Sequence, residues 1–292
     1  MKKVNSRMLL LFLFIIFSWG LAWPVNKVGL QFMSPLWYTT TRLFVGTLAM
    51  FMIVAAVNKF SWPKRADFPL IATIGLLQIG VYILLTNIGL AYLPAGKSSL
   101  LAYTTPLWVM PIATFMFHEK SGPLRWTGFG LAVIGLLILI SPWELDWQNT
   151  DILIGTAALL IASLCWAISM MCVRYMKWTK SPLELIPWQL LMGAIPVLIF
   201  AWIKEPSVTV TWNLPLVLSL IYTGIIVTGL SYWVGVIVNK ELPTIVVSLG
   251  FLIVPVFSFA ISVIFMGEVI NLPTGIACGL ILLGLMFVVA EK

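Results

Sequence analysis

Leu93-Pro94-Ala95-Gly96-Lys97-Ser98-Ser99-Leu100 opens a stretch that runs to Gly135 and has a counterpart 149 residues downstream, opening Leu242-Pro243-Thr244-Ile245-Val246-Val247-Ser248-Leu249. Within it Pro106 returns as Pro255, Glu119 as Glu268, Gly130-Leu131 as Gly279-Leu280 and Gly135 as Gly284. Leucine matches between apolar runs arise by chance, whereas Pro, Gly and Glu are scarce there and have positional meaning. Upstream, Gly75 and Gly80 match Gly224 and Gly229 at the same offset. Earlier still the offset is 147, pairing Trp19 with Trp166, Lys27 with Arg174, Pro35 with Pro182, Arg42 with Gln189 and Gly46 with Gly193. A two-residue insertion in a loop reconciles the offsets, and the chain reads as a tandem duplication.

Composition says where the duplication lives. The 292 residues are 61% hydrophobic and 9% charged, against about 25% charged in a soluble domain. A water-soluble globule is excluded, and the chain reads as a polytopic membrane protein whose first partner is the lipid bilayer. Its net charge of +7 is scattered through short links between apolar runs. That is the pattern of membrane topology and not of a phosphate-binding face, so nucleic acid is not expected as a partner. Cys165, Cys172 and Cys278 all fall inside apolar runs, which argues against a disulfide framework, and no Cys/His cluster has metal-ligand spacing. No cofactor and no metal are expected. Lys2, Lys3 and Arg7 before an apolar run resemble a signal peptide, but Trp19, Trp23-Pro24 and the lack of a small-x-small site favour a retained first helix.

A span needs about 20 mainly apolar residues. Ten segments qualify, near 8–26, 35–57, 69–91, 96–117, 124–141, 152–173, 183–203, 214–238, 244–266 and 272–290. The expected fold is all-α, with residues 1–146 forming one five-helix repeat and 147–292 the other. Lys and Arg set the orientation. Lys2, Lys3, Arg7, Lys59, Lys64, Arg65, Lys120, Arg125, Arg174, Lys177, Lys180, Lys240 and Lys292 lie on the N-terminal side, and only Lys27, Lys97 and Lys204 on the other. The bias puts both termini in the cytoplasm. Because five is odd, the second repeat enters from the opposite side and the repeats are inverted. Inverted repeats give two related conformations with a site near the midplane, the signature of a transporter.

Phe17-Ser18-Trp19-Gly20 leading to Lys27, then Pro35 and Arg42, resembles the opening of the EamA-type ten-helix carriers of the drug/metabolite transporter superfamily. Thr105-Pro106, Glu119 and Gly128 to Gly135, with Pro255, Gly267-Glu268 and Gly275 to Gly284, are similar to that family's later helices. The resemblance spans about residues 8 to 290. It implies a central cavity built by helices one to four and six to nine, and helices five and ten at the periphery, often at a dimer contact. The chain is therefore expected as a monomer, or as a homodimer through helices five and ten. The sequence departs from its own symmetry where Gln189 stands for Arg42 and Ala167 for Gly20, so the two halves line the pathway differently.

Arg42 lies seven residues past Pro35, about 10 Å along its helix. A charge at that depth faces a cavity or a partner. It docks a substrate carboxylate on one reading; on the other it is structural, snorkelling to the interface or bonding helix-end carbonyls. Lys27 and Lys97 near the outer ends of spans one and four read either as entrance charges for anions or as interface anchors. Trp19 and Trp166, Gln78 and Tyr82 on one face of span three, Tyr103, Gln189 and Tyr232 complete the candidate substrate-binding set, with packing as the competing reading for each. Pro106 and Pro255 each free a carbonyl and are candidates for a hinge or kink. Gly275 to Gly279 form a G-x-x-x-G for close helix packing.

No acidic residue lies mid-span: Glu119, Glu184, Glu241 and Glu268 sit at span ends. That counts against an antiporter trading protons for cationic drugs. No intramembrane acid, His or nucleophile pair supports catalysis, so no catalytic residue is expected and the protein is read as no enzyme. The expected function is inner-membrane transport of a small metabolite, an amino acid or related zwitterion, outward and by alternating access. The alternatives are another metabolite class (organic anion, nucleoside or drug) and a non-transporting receptor or scaffold.

Overall fold

In lipid every backbone N–H and C=O must find its partner within the chain, and helices are the local solution. A computed structural model of the chain describes residues 6–116, 118, 122–140, 148–241, 244–269 and 271–290. They form ten helical rods. α1 is Ser6–Gly29 and α2 is Pro35–Ala56; α3 runs as Phe68–Ala72, Thr73–Val81 and Tyr82–Tyr92; α4 runs as Ala95–Ala102, Thr105–Pro111 and Ile112–Met116. α5 is Pro123–Ile140, α6 Thr150–Tyr175 and α7 Pro182–Lys204; α8 runs as Leu214–Ile221, Tyr222–Leu230 and Ser231–Glu241; α9 is Thr244–Met266 and α10 Leu272–Ala290. Seven are long and apolar enough to cross a membrane, and two shorter apolar stretches belong to α9 and α10. Leu10, Leu48, Ile203 and Phe265 are among many exposed apolar side chains, as a lipid-solvated surface requires.

Proline opens α2 and α7 within their first two positions, where the missing N–H costs least. Ser181 and Glu184 close a capping box on α7, and the Asn213 side chain accepts the Leu216 N–H at 2.9 Å to start α8. α4 is broken at Tyr103–Thr104, just before Pro106, while the helix continues unbroken through Pro255. Hydropathy does not foreshadow the middle segments of α3 and α8. Thr73–Val81 and Tyr222–Leu230 are π-helical, nine residues each, and stand at matching positions of the two repeats. π-helical turns place an extra residue in the helix and recur at functional sites.

The repeats are interlaced rather than set side by side. α2 crosses α8 and α7 crosses α3, each pair joining one repeat to the other. Glycine permits both approaches. A Cβ on Gly46 would sit 2.6 Å from the Gly224 carbonyl oxygen, and one on Gly193 would strike the Gly75 carbonyl oxygen. α1 packs on α8 and α9 of the second repeat, and α6 on α3 and α4 of the first. α5 and α10 pair outside this core, where Cβ atoms on Gly135 and Gly284 would strike the opposite backbone. The loops are tied likewise: Met33 bridges Val210, the Thr211 N–H reaches the Phe32 carbonyl at 2.9 Å, and Ser34 bonds Glu205. At the other face the Trp188 indole donates to the Ser61 carbonyl at 3.1 Å, and Ser61 Oγ to Glu184 at 2.9 Å. Ten helices in two interlaced, inverted five-helix repeats make the all-α fold.

Candidate substrate site

Because α1 and α6 are repeat-related and each inserts among the other repeat's helices, their paired tryptophans meet. The rings of Trp19 and Trp166 stand edge to face with centroids 6.1 Å apart. Tyr232 from α8 touches both, at 5.9 and 5.7 Å, and Tyr82 from α3 lies 4.5 Å from Trp166. Tyr103, at the break in α4, lies within electrostatic range of Tyr82 and Tyr232. Five helices thus contribute to one aromatic layer. Spacings of 4.5 to 6.1 Å between centroids are those of aromatic rings packed on one another. Gln78 borders it: its backbone carbonyl accepts from Tyr232 Oη at 3.3 Å, and its Oε1 from Ser169 Oγ at 3.2 Å.

Arg42 is only 5% exposed and spends part of its fork on the second repeat. Nε donates to the Thr223 carbonyl at 3.2 Å and to Thr228 Oγ1 at 2.8 Å, both in the π-helical segment of α8. Nη1 donates to Asn26 Oδ1 at 3.2 Å. Tyr38, Tyr232, Tyr82 and Tyr222 lie within electrostatic range of it. Tyr82 and Tyr232 also belong to the aromatic layer. Tyr38 Oη and Thr223 Oγ1 are 3.2 Å apart, and Tyr222 Oη donates to the Ser18 carbonyl at 3.0 Å.

Gln189 holds the pseudo-symmetric place. A Cβ on Gly75 would lie 2.7 Å from the Gln189 carbonyl oxygen, as one on Gly224 would lie 3.0 Å from that of Arg42. Where α8 offers Thr223 and Thr228 to Arg42, the same positions of α3 are Ile74 and Ile79. Gln189 is 4% exposed and its Nε2 has no hydrogen-bond partner among the described residues. The duplicated frame thus carries a cation at one crossing and a neutral amide at the other. Asn26, Tyr38, Tyr222, Thr223 and Thr228 were not singled out in the sequence. Tyr38 lies one helical turn before Arg42, and the Thr223/Thr228 pair against Ile74/Ile79 was a readable asymmetry.

Lys27 and Glu268 stand apart from this site. Lys27 Nζ donates to the carbonyls of Leu90, Ala91 and Leu93 at 2.5, 3.1 and 2.9 Å, closing the C-terminal end of α3. It thereby caps that helix end. Glu268 accepts the Gly96 N–H at the start of α4. Burial pushes its carboxyl above the usual range, opposed by the Gly96 and Ala95 N–H groups and the charge of Lys27. Glu119, its first-repeat counterpart, lies outside the described residues. Among the described residues no group of three His, Cys, Asp or Glu has metal-site geometry.

Interlaced inverted repeats in a membrane-spanning bundle are the architecture of a transporter. The chain belongs to the EamA-like transporter family, which it matches over residues 6–141 and again over 153–290. It is thus a multi-pass membrane transporter and no enzyme. It is 27% identical over 240 residues to the uncharacterized transporter YoaV of Bacillus subtilis, covering 82% of each chain. It is also 27% identical over 265 residues to a probable amino-acid metabolite efflux pump of Escherichia coli, covering 88% of this chain and 86% of that one. A protein crystal structure 20% identical in sequence shares the fold with a TM-score of 0.68, over 97% of this chain and 98% of its own.

Proposed function

We propose that this transporter exports an amino acid or related zwitterion across the inner membrane by alternating access, with both termini in the cytoplasm. The observation that carries the substrate class is Arg42: a buried guanidinium within electrostatic range of four tyrosines, hydrogen-bonded through Nε and Nη1 to neutral groups, with no ion-pair partner among the described residues. A charge so far from water is stabilised by an anionic partner, and a substrate carboxylate supplies one on Nη2. The aromatic layer of Trp19, Tyr82, Tyr103, Trp166 and Tyr232, bordered by Gln78, offers an apolar face to the substrate side chain. Gln189 marks the neutral half of the pathway. The names of relatives such as the Escherichia coli pump agree with this class, and the Lys and Arg bias supports the orientation.

Counterflow in proteoliposomes tests the proposal. Several amino acids with apolar or aromatic side chains should exchange; absence of flux across a panel of amino acids would end the reading. An organic anion would also satisfy Arg42, and would exchange without needing an amino group. Since acids are confined to span ends, amino-acid flux is expected to be unchanged when the pH gradient is collapsed by an ionophore. Strict dependence on that gradient would reveal a proton carrier outside the candidate site.

A further inference from the structure

The turn between α3 and α4, Leu93-Pro94, is held at both ends by charged side chains from elsewhere in the chain. Lys27 of α1 covers the last carbonyls of α3. Glu268, 172 residues from Gly96 and in the other repeat, takes the Gly96 N–H with both carboxylate oxygens at 3.2 and 3.0 Å, and the Ala95 N–H adds to it. The first N–H groups of a helix have no acceptor of their own, and a carboxylate there is their strongest partner. The backbone is shaped for this contact. Gly267 has φ +70°, a left-handed turn that glycine takes without strain, and it delivers Glu268 to α4. Gly96 leaves no space: a Cβ there would strike the Phe259 ring of α9 and lie 2.6 Å from Glu268 Oε2.

What lies behind the contact is incompletely bonded. Ser98 on α4, and Ser258 and Ser262 on α9, are fully buried with hydroxyls that have no hydrogen-bond partner among the described residues. Leaving a polar group buried and unpaired is costly, and three on two helices that pack on each other call for an explanation. They are explained if this interface is dry in one state and wet in another. We infer that the Glu268 carboxylate on the N-terminus of α4 is a latch between the repeats, which holds the pathway shut on that side and releases during transport. Glu268 is a positioning residue here and touches no substrate. Lys27 keeps the far end of the turn in place so that the latch has a fixed seat. The inference rests on alternating access, not on which substrate is carried.

Ser98→Cys, in a chain whose Cys165, Cys172 and Cys278 are replaced by serine, reports on the latch in proteoliposomes. A membrane-impermeant thiol reagent added from the Glu268 side should label it slowly. Glu268→Ala and Gly96→Ala, one removing the acceptor and the other wedging the helices apart, should each speed labelling about ten-fold, the weight of one charge-assisted hydrogen bond. The double variant should add little, and Glu268→Gln, which keeps one acceptor oxygen, should fall between. Labelling from the opposite side should not rise. Unchanged rates in both single variants would overturn the latch. Equal acceleration from both sides with a lowered melting temperature would also overturn it, by showing a merely structural contact. Because labelling needs no substrate, its result stands apart from the amino-acid flux assay.

Discussion

Arg42→Ala is expected to weaken binding of a carboxylate-bearing amino acid by roughly ten- to a hundred-fold, while the corresponding neutral amine or alcohol loses little. The range follows from a charge-assisted hydrogen bond worth about 1.5–3 kcal/mol, with about 1.4 kcal/mol per factor of ten. The discrimination arises because the guanidinium has no acidic partner among the described residues: its hydrogen bonds go to Thr223, Thr228 and Asn26. The variant also removes the bonds to Thr223, Thr228 and Asn26, so some stability is lost with it. Thr228 Oγ1 still donates to the Thr223 carbonyl at 2.7 Å, which leaves the π-helical segment its own closure. Arg42→Lys separates the two effects. It keeps the charge but not the fork, so carboxylate preference should survive in part while the melting temperature still falls. Titration of purified protein by intrinsic tryptophan fluorescence measures both ligands. Equal loss for charged and neutral ligands would make Arg42 a structural residue alone.

The spans and the duplication were legible because a bilayer imposes length and composition on every crossing segment, and because Pro and Gly keep their places through duplication. The interlacing was not. Apolar segments in lipid have little periodicity to say which face meets which helix, and the pairing of α2 with α8 rests on Gly46 and Gly224, which could be matched to their repeats but not to each other. The π-helical turns escaped for a related reason: one added residue changes the register of a face, and nothing in Thr73–Val81 or Tyr222–Leu230 changes composition to announce it. At the site, deep aromatic residues could be found one at a time. That Trp19 and Trp166 touch follows from the pseudo-two-fold arrangement of α1 and α6, which no single segment contains. The target of Lys27 was equally hidden, since the carbonyls it caps lie more than 60 residues away in sequence.

The interlaced crossings set the second large effect. Gly193→Ala is expected to cost about 3 kcal/mol, the upper part of the usual overpacking range. A Cβ there would meet the Gly75 carbonyl oxygen, with the Gly80 amide nitrogen at 2.9 Å and Ile79 Cγ2 at 3.0 Å. Two of these are backbone atoms, which cannot rotate aside, so α7 must move off α3. Gly46→Ala should behave alike, since its Cβ would lie 2.6 Å from the Gly224 carbonyl oxygen at the partner crossing. Gly130→Ala and Gly279→Ala supply the contrast. Among the described residues nothing lies within 4 Å of either Cβ, and alanine gains about 0.5–1 kcal/mol over glycine in a helix interior. In one detergent, the first pair should melt well below the parent and the second pair at or slightly above it. If all four melt together, α2 and α7 are not in backbone contact with α8 and α3. The crossings also join the repeats beside Arg42 and Gln189, so a wedge there should slow exchange more than its effect on stability explains. Single-turnover counterflow at a temperature where Gly193→Ala remains folded measures that difference.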